Sequence, residues 1–118
     1  MNDNKATLEE ANAAISKGNF EGFLEFCVDD IIWNMIGDEY LKGKEQVRAW
    51  MKKTYSSPPD FNAASWIIQG DVLAVEGDIT IKDTNGKSVH SKYCDVWRFR
   101  GGKMAELNAY AVEIKHLA

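Results

Sequence analysis

The stretch VLAVEGDITIKDTNGKSVHSKYCDVWRFR, residues 72–100, decides the reading of this chain. Two runs rich in β-branched and aromatic residues, 72–83 and 88–100, flank Asn85-Gly86. That pair is favoured in a two-residue type I′ hairpin turn, because both central residues need positive φ. With Asn85 and Gly86 as the turn, Thr84 faces Lys87 and every later pairing follows by counting outward. Asp83 then faces Ser88, Thr80 faces Ser91, Asp78 faces Tyr93, Glu76 faces Asp95 and Ala74 faces Trp97. Side chains alternate along a strand, so Glu76, Asp78, Thr80, Tyr93, Asp95 and Trp97 are expected on one face. Val75, Ile79, Ile81, Cys94 and Val96 are expected on the other. Glu76 and Asp95 become cross-strand neighbours, with Cβ atoms roughly 4.5–5.5 Å apart. In a dry pocket one of two such carboxyls keeps its proton near neutral pH, since burial and a like-charged neighbour both disfavour a second negative charge. The pair suits acid–base work, with Asp95 as acid or oxyanion donor and Glu76 as base. A β-bulge that shifts the count by one puts Asp78 in place of Glu76. The plainer alternative is that Glu76 reaches water or a lysine and the face is merely polar.

At 118 residues the chain has room for one core, so a single domain over residues 1–118 is expected. Hydrophobic residues at 45% and charged residues at 27% are ordinary for a globular protein. A net charge of −4 with scattered lysines and arginines argues against a nucleic-acid partner. No apolar run reaches the roughly 18–20 residues of a membrane span, and the polar start Met1–Lys5 lacks a secretory h-region. Cys27 and Cys94, without CxxC spacing, read as reduced thiols in a cytoplasmic protein. His90 and His116 are too few and too far apart for a metal site, and neither a metal nor an organic cofactor is expected.

Upstream, Thr7-Leu8-Glu9-Glu10 matches a capping box, and Leu8, Ala11 and Ile15 mark one face of a helix. Gly18 then suits a helix end and Asn19 the next N-cap. Phe20, Phe23, Leu24 and Cys27 keep helical spacing in a second helix, and Val28-Asp29-Asp30 closes it. Residues 31–36 read as a buried strand and 37–42 as a loop. A third helix begins at Gly43 with Val47, Trp50, Met51 and Tyr55 on its apolar face, and Pro58-Pro59 lie in the loop that ends it. Strands follow at 63–69, across the central hairpin, and from Met104 to Ile114. Helices grouped early and antiparallel strands grouped late indicate an α+β domain, helices on one face of a curved sheet.

This order resembles the nuclear transport factor 2-like superfamily, in its SnoaL-like and ketosteroid isomerase-like branches. The matching text is Gly18-Asn19-Phe20, Val28-Asp29-Asp30-Ile31, the run Lys42-Gly43-Lys44-Glu45-Gln46-Val47, and Asp95-Val96-Trp97-Arg98-Phe99 followed by Gly102-Lys103-Met104. The resemblance implies a cone-shaped, cystatin-like fold, with three N-terminal helices packed on a curved, mostly antiparallel sheet around an apolar pocket. It also implies a homodimer. In ketosteroid isomerases the segment similar to residues 95–99 carries a protonated aspartic acid that donates to an oxyanion, which assigns that role to Asp95. The residue aligned with the isomerase base is Met35, and the residue aligned with its oxyanion tyrosine is Ala11. The related epoxide hydrolases carry an arginine where Tyr93 precedes Asp95. True steroid isomerisation is therefore not expected.

Trp33, Met35, Trp50, Tyr55, Trp66, Trp97 and Phe99 are offered as pocket walls for a flat, ring-containing ligand, with packing in the core as the alternative. Tyr40 in the loop at the mouth and Tyr93 on the strand are candidate orienting hydroxyls, and Asp38 is a reserve base. A two-residue turn at Gly101-Gly102 brings Asn108 opposite Asp95. The family alignment instead turns Leu107, Ala109 and Ala111 inward, which requires a bulge. His90 falls on the face away from Asp95. That second face, apolar at Val75, Ile79, Ile81, Cys94 and Val96, is expected to pair with a second copy. The expected function is cofactor-independent isomerase, cyclase or hydrolase chemistry on a small apolar carbonyl compound. A non-catalytic ligand-binding module or a dimeric adaptor are the alternatives.

Overall fold

An aspartate at residue 3 starts the first helix one turn ahead of the Thr7 capping box. In the computed structural model, which describes residues 3–115, Asp3 Oδ1 accepts the Ala6 N–H at 3.0 Å and caps α1, Asn4–Ser16. Nothing in Asn4-Lys5-Ala6 opposes helix, so the extra turn forms, and Thr7 Oγ1 donates to the Asp3 carbonyl at 3.3 Å. Leu8, Ala11 and Ile15 are buried on its inner face. Gly18 takes φ +80° at the helix end, and Asn19 Oδ1 accepts the Gly22 N–H at 2.9 Å to cap α2, Phe20–Leu24.

The first strand, β1, runs Cys27–Met35 and so begins earlier than hydrophobic spacing suggests. Its start is recruited by the last strand: Met104 N–H donates to the Phe26 carbonyl at 2.8 Å, and Cys27 pairs with Met104. A short edge strand, β2 (Tyr40–Lys42), precedes α3, Gly43–Thr54. The strands β3 (Asp60–Gln69), β4 (Val72–Lys82), β5 (Ser88–Arg100) and β6 (Lys103–Glu113) complete the chain. They form one sheet in the order β2-β1-β6-β5-β4-β3, antiparallel except where β1 runs parallel to β6. The fold is thus α+β, three helices against one face of a curled sheet. Leu8, Phe23 and Leu24 from the helices meet Ile31, Leu73 and Met104 from the strands in its core. Among the described residues, no helix is long and apolar enough to cross a membrane. His116 lies outside the described residues.

The central hairpin differs from the two-residue turn in one decisive way. Lys82 pairs with Ser88, and the loop between the strands is closed by Asp83 and Lys87, with the Asp83 N–H donating to the Lys87 carbonyl at 2.8 Å. Gly86 N–H reaches the Asp83 carbonyl at 3.0 Å, and Asp83 Oδ1 accepts the N–H groups of Asn85 and Lys87, both at 2.9 Å. Only Gly86 has positive φ here (+78°); Asn85 does not. A three-residue loop with a terminal left-handed glycine replaces the type I′ turn. The carboxylate of Asp83 explains the choice: it satisfies two loop N–H groups that the tighter turn leaves to water.

The register therefore slips by one residue, and with it every β4 side chain changes face. Asp95 sits opposite Val75, Glu76 opposite Cys94, and Asp78 opposite Lys92. Val75, Ile79 and Ile81 thus point inward and Glu76, Asp78 and Thr80 outward, the reverse of the two-residue count. The apolar second face expected at Val75, Ile79 and Ile81 does not exist; Cys94 and Val96 remain on it beside Glu76, Asp78 and Lys92. A second bulge, between Arg98 and Phe99, settles the last strand. Leu107, Ala109 and Ala111 face Trp97, Asp95 and Tyr93, and Asn108 turns outward, where its Oδ1 accepts from Asn34 Nδ2 at 3.1 Å.

Curvature at the far edge depends on Gly77, opposite a bulge between Ala63 and Ser65 of β3. A Cβ at Gly77 would stand 2.1 Å from the Asn62 carbonyl oxygen, which is fixed backbone. Gly77→Ala is expected to destabilise the fold by about 1–3 kcal/mol, measured by urea denaturation; an unchanged midpoint would mean β3 does not press on β4 there.

Candidate functional site

Inward-facing residues of β1, β4, β5 and β6, together with α1–α3, enclose a cavity of about 500 Å³. Its floor is aromatic. Trp33 lies 5.8 Å from Trp97 in an edge-to-face contact and 5.9 Å from Trp50, and Trp50 lies 5.3 Å from Tyr55. Phe23 closes the group against both Trp33 and Trp97. Such tilted and edge-on contacts fix each ring by its neighbours, giving stiff, flat walls. The sheet adds Val75, Ile79, Leu107 and Ala109 to the lining, and Met35 joins them from the end of β1. Trp33 is almost wholly buried, and its indole N–H has no hydrogen-bond partner.

Asp95 faces this apolar interior from the middle of β5. None of the hydrogen bonds or ion pairs among the described residues satisfies its carboxyl. Burial alone pushes it from the ordinary carboxylate range up to about 7. Its protonated form is thus favoured far above the ordinary carboxylate range, without a second carboxylate. Tyr93, two residues earlier on the same face, is pushed up to about 12 by burial and then by the Asp95 charge. Tyr55, at the end of α3, is raised by the same two causes in the same order. Both hydroxyls remain donors at any physiological pH, and both feel Asp95.

Of the residues anticipated for the site, Asp95, Trp33, Met35, Trp50, Tyr55, Tyr93 and Trp97 are together on the lining, and Asp38 joins them at the exposed rim. Six others are elsewhere. Phe99 is buried in the core rather than on the lining. Glu76 is exposed on the outer sheet face. Asp78 shares that face, bonded to His90 Nε2 and Lys92 Nζ at 3.1 Å each; Lys92 first, then His90, holds its carboxyl below the usual range. Asn108 is outward for the reason given above. Tyr40 is 56% exposed on the edge strand opposite Asn34, with Lys42 Nζ 5.8 Å from its ring, because β2 pairing takes it out of the mouth loop. Trp66 lies beyond the cavity, under Lys5 Nζ at 5.0 Å. The proposed Glu76–Asp95 acid–base pair is therefore excluded by geometry. Residues that the sequence reading missed, Val75, Ile79 and Ile81, become legible once Asp83 is recognised as the turn's acceptor. Among the described residues no three His, Cys, Asp or Glu are grouped to hold a metal.

The chain is thus an α+β fold of three helices on a curled six-stranded sheet, with Asp95 facing the apolar part of its cavity. The model of the SnoaL-like domain family matches residues 8–107, and the chain belongs to that family. An NTF2-like protein of unknown function from Burkholderia pseudomallei is similar over 92% of this chain and 90% of its own, at 21% identity and a TM-score of 0.81. An LEH-like epoxide hydrolase from M. tuberculosis gives a TM-score of 0.82 at 13% identity, covering 92% of this chain and 82% of its own. TerC, co-crystallized with polyporic acid, gives 0.77 at 18% identity, covering 90% and 88%. At these identities the likeness is one of fold. No curated protein sequence matches significantly.

The raised Asp95 carboxyl fixes a sign for stability against pH. Its folded value, about 7, exceeds the ordinary unfolded value of roughly 3.9, so the native state holds the proton more tightly. That contribution is complete below about pH 4 and is lost as pH rises through 7, by up to roughly 4 kcal/mol. Asp95→Asn, which removes the buried charge, should therefore be more stable than the native protein at pH 8 and close to it at pH 4.5. Denaturation curves at the two pH values check this; equal differences at both would place Asp95 in water.

Proposed function

We propose that the cavity takes a small, largely apolar, ring-containing molecule bearing a carbonyl-type oxygen, and that protonated Asp95 donates to that oxygen. One observation carries the reading: an unpartnered carboxyl, raised to about 7, inside an aromatic-walled space of ligand size. An acid that is neutral at physiological pH stabilises negative charge as it develops on an enolate or alkoxide, and a preorganised apolar site strengthens that effect. Near its midpoint the same group both gives and takes a proton, which suits isomerisation, cyclisation or hydrolysis without a cofactor. Tyr93 and Tyr55, neutral donors in the same lining, would orient the oxygen. Asp38 and Glu39, at the rim, are the other carboxylates of the lining, and Asp38 is the candidate base.

Non-catalytic binding in the same cavity is the second reading. Met35 favours it, since an apolar side chain lines the cavity from the position aligned with the isomerase base. The two acidic positions expected beside Asp95 are also outside. We further propose a cytoplasmic homodimer, a reading supported by two free thiols and by exposed Ile67, Tyr110 and Val112 on the sheet.

2-Tetralone in deuterium oxide separates the two functional readings. Its α-protons exchange by enolisation, and an acid–base site accelerates deuterium entry visible by NMR. The native protein is expected to accelerate exchange, and Asp95→Asn to lower that rate by about 10²–10⁴. Saturable binding with no acceleration would leave the non-catalytic reading; no binding at all would remove both.

A further inference from the structure

A second, shallower recess of about 320 Å³ lies between the end of α3 and the β4–β5 loop. Thr54 lines both this recess and the cavity. Tyr55 and Ile81 line the cavity, while their next neighbours in the chain, Ser56 and Lys82, line the recess. The two spaces thus share a wall at the rim.

Their charge differs. The ionisable acids of the cavity lining are Asp38, Glu39 and Asp95, and no lysine or arginine belongs to it. The recess holds Lys53 and Lys82, and neither takes part in the ion pairs among the described residues. Lys53 occupies the last turn of α3, where a cation favours the carbonyl end of a helix. That role does not extend to Lys82, which comes from β4. The carboxylate in the recess, Asp83, does not neutralise them by contact; its Oδ1 is engaged by the loop N–H groups of Asn85 and Lys87. Ser56 and Thr84 add hydroxyl donors.

We infer that the ligand is amphiphilic, its ring body in the cavity and an anionic group, a carboxylate, sulfonate or phosphate, over the Thr54 wall between Lys53 and Lys82. This rests on the cavity being the ligand site. Cavity burial supplies affinity, and the two ammonium groups select which end of the molecule remains outside.

A matched pair of fluorescent probes tests it: 1-anilinonaphthalene-8-sulfonate, which is anionic, and N-phenyl-1-naphthylamine, its uncharged counterpart. Lys53→Gln with Lys82→Gln is expected to weaken the sulfonate by about fivefold while leaving the neutral probe unchanged, which also shows that the variant is folded. Raising sodium chloride from about 0.05 to 0.5 M should weaken the sulfonate alone. Lys87→Gln, outside the recess lining, should alter neither. Sulfonate binding indifferent to both lysines, or loss of both probes alike, overturns the anionic recess while the cavity stands. If neither probe binds the native protein, the cavity reading fails and the recess with it.

Discussion

The geometry of the site depends on a carboxylate that lies outside it. Asp83 accepts two loop N–H groups, each at 2.9 Å, and so holds three residues rather than two between β4 and β5. Hydrogen bonds of this kind are worth about 1 kcal/mol each, a small sum against the whole fold. Their effect is nevertheless discrete, since a hairpin has no half-residue register. One added loop residue places Val75 rather than Glu76 across from Asp95.

That exchange gives Asp95 its character. Beside Glu76 it would have shared a proton with a second acid and drawn water inward. Beside Val75, with Trp97 and Leu107 on the same face, its carboxyl is raised by desolvation alone. Tyr93 and Tyr55 are raised in part by its charge but do not hydrogen-bond it. Asp95 is thus the acid set among the apolar residues of β4, β5 and β6, while Asp38 and Glu39 lie at the exposed end of the same lining.

The outer sheet face shows the complementary result. Glu76 and Asp78 take the positions left by the inward-turned aliphatics, beside His90 and Lys92 of β5, and Asp78 is bonded to both of these. Asn108 and Asn34 pair across β6 and β1 on that same face. Of these outer residues, Glu76 and Asp78 are the ones the shorter turn would have turned inward, where an unpaired charge is costly.

Periodicity along the chain determined the elements. Leu8, Ala11 and Ile15, the Gly18-Asn19 junction, Gly43 at the head of α3 and the long β-rich runs read correctly because each depends on neighbours within a few residues. The Asp95-Val96-Trp97 segment likewise marked the carboxyl that faces the chamber. What only the tertiary structure decided is how those strands align: Asn85-Gly86 and Asp83 favour competing turns within the same few residues, and the outcome is fixed by which face of β4 meets the core. The bulge near Phe99 turned Asn108 out, and pairing with β1 drew Tyr40 to an edge. Strand register is set by side-chain-to-backbone bonds and by which face finds a core, and neither is a property of composition or spacing.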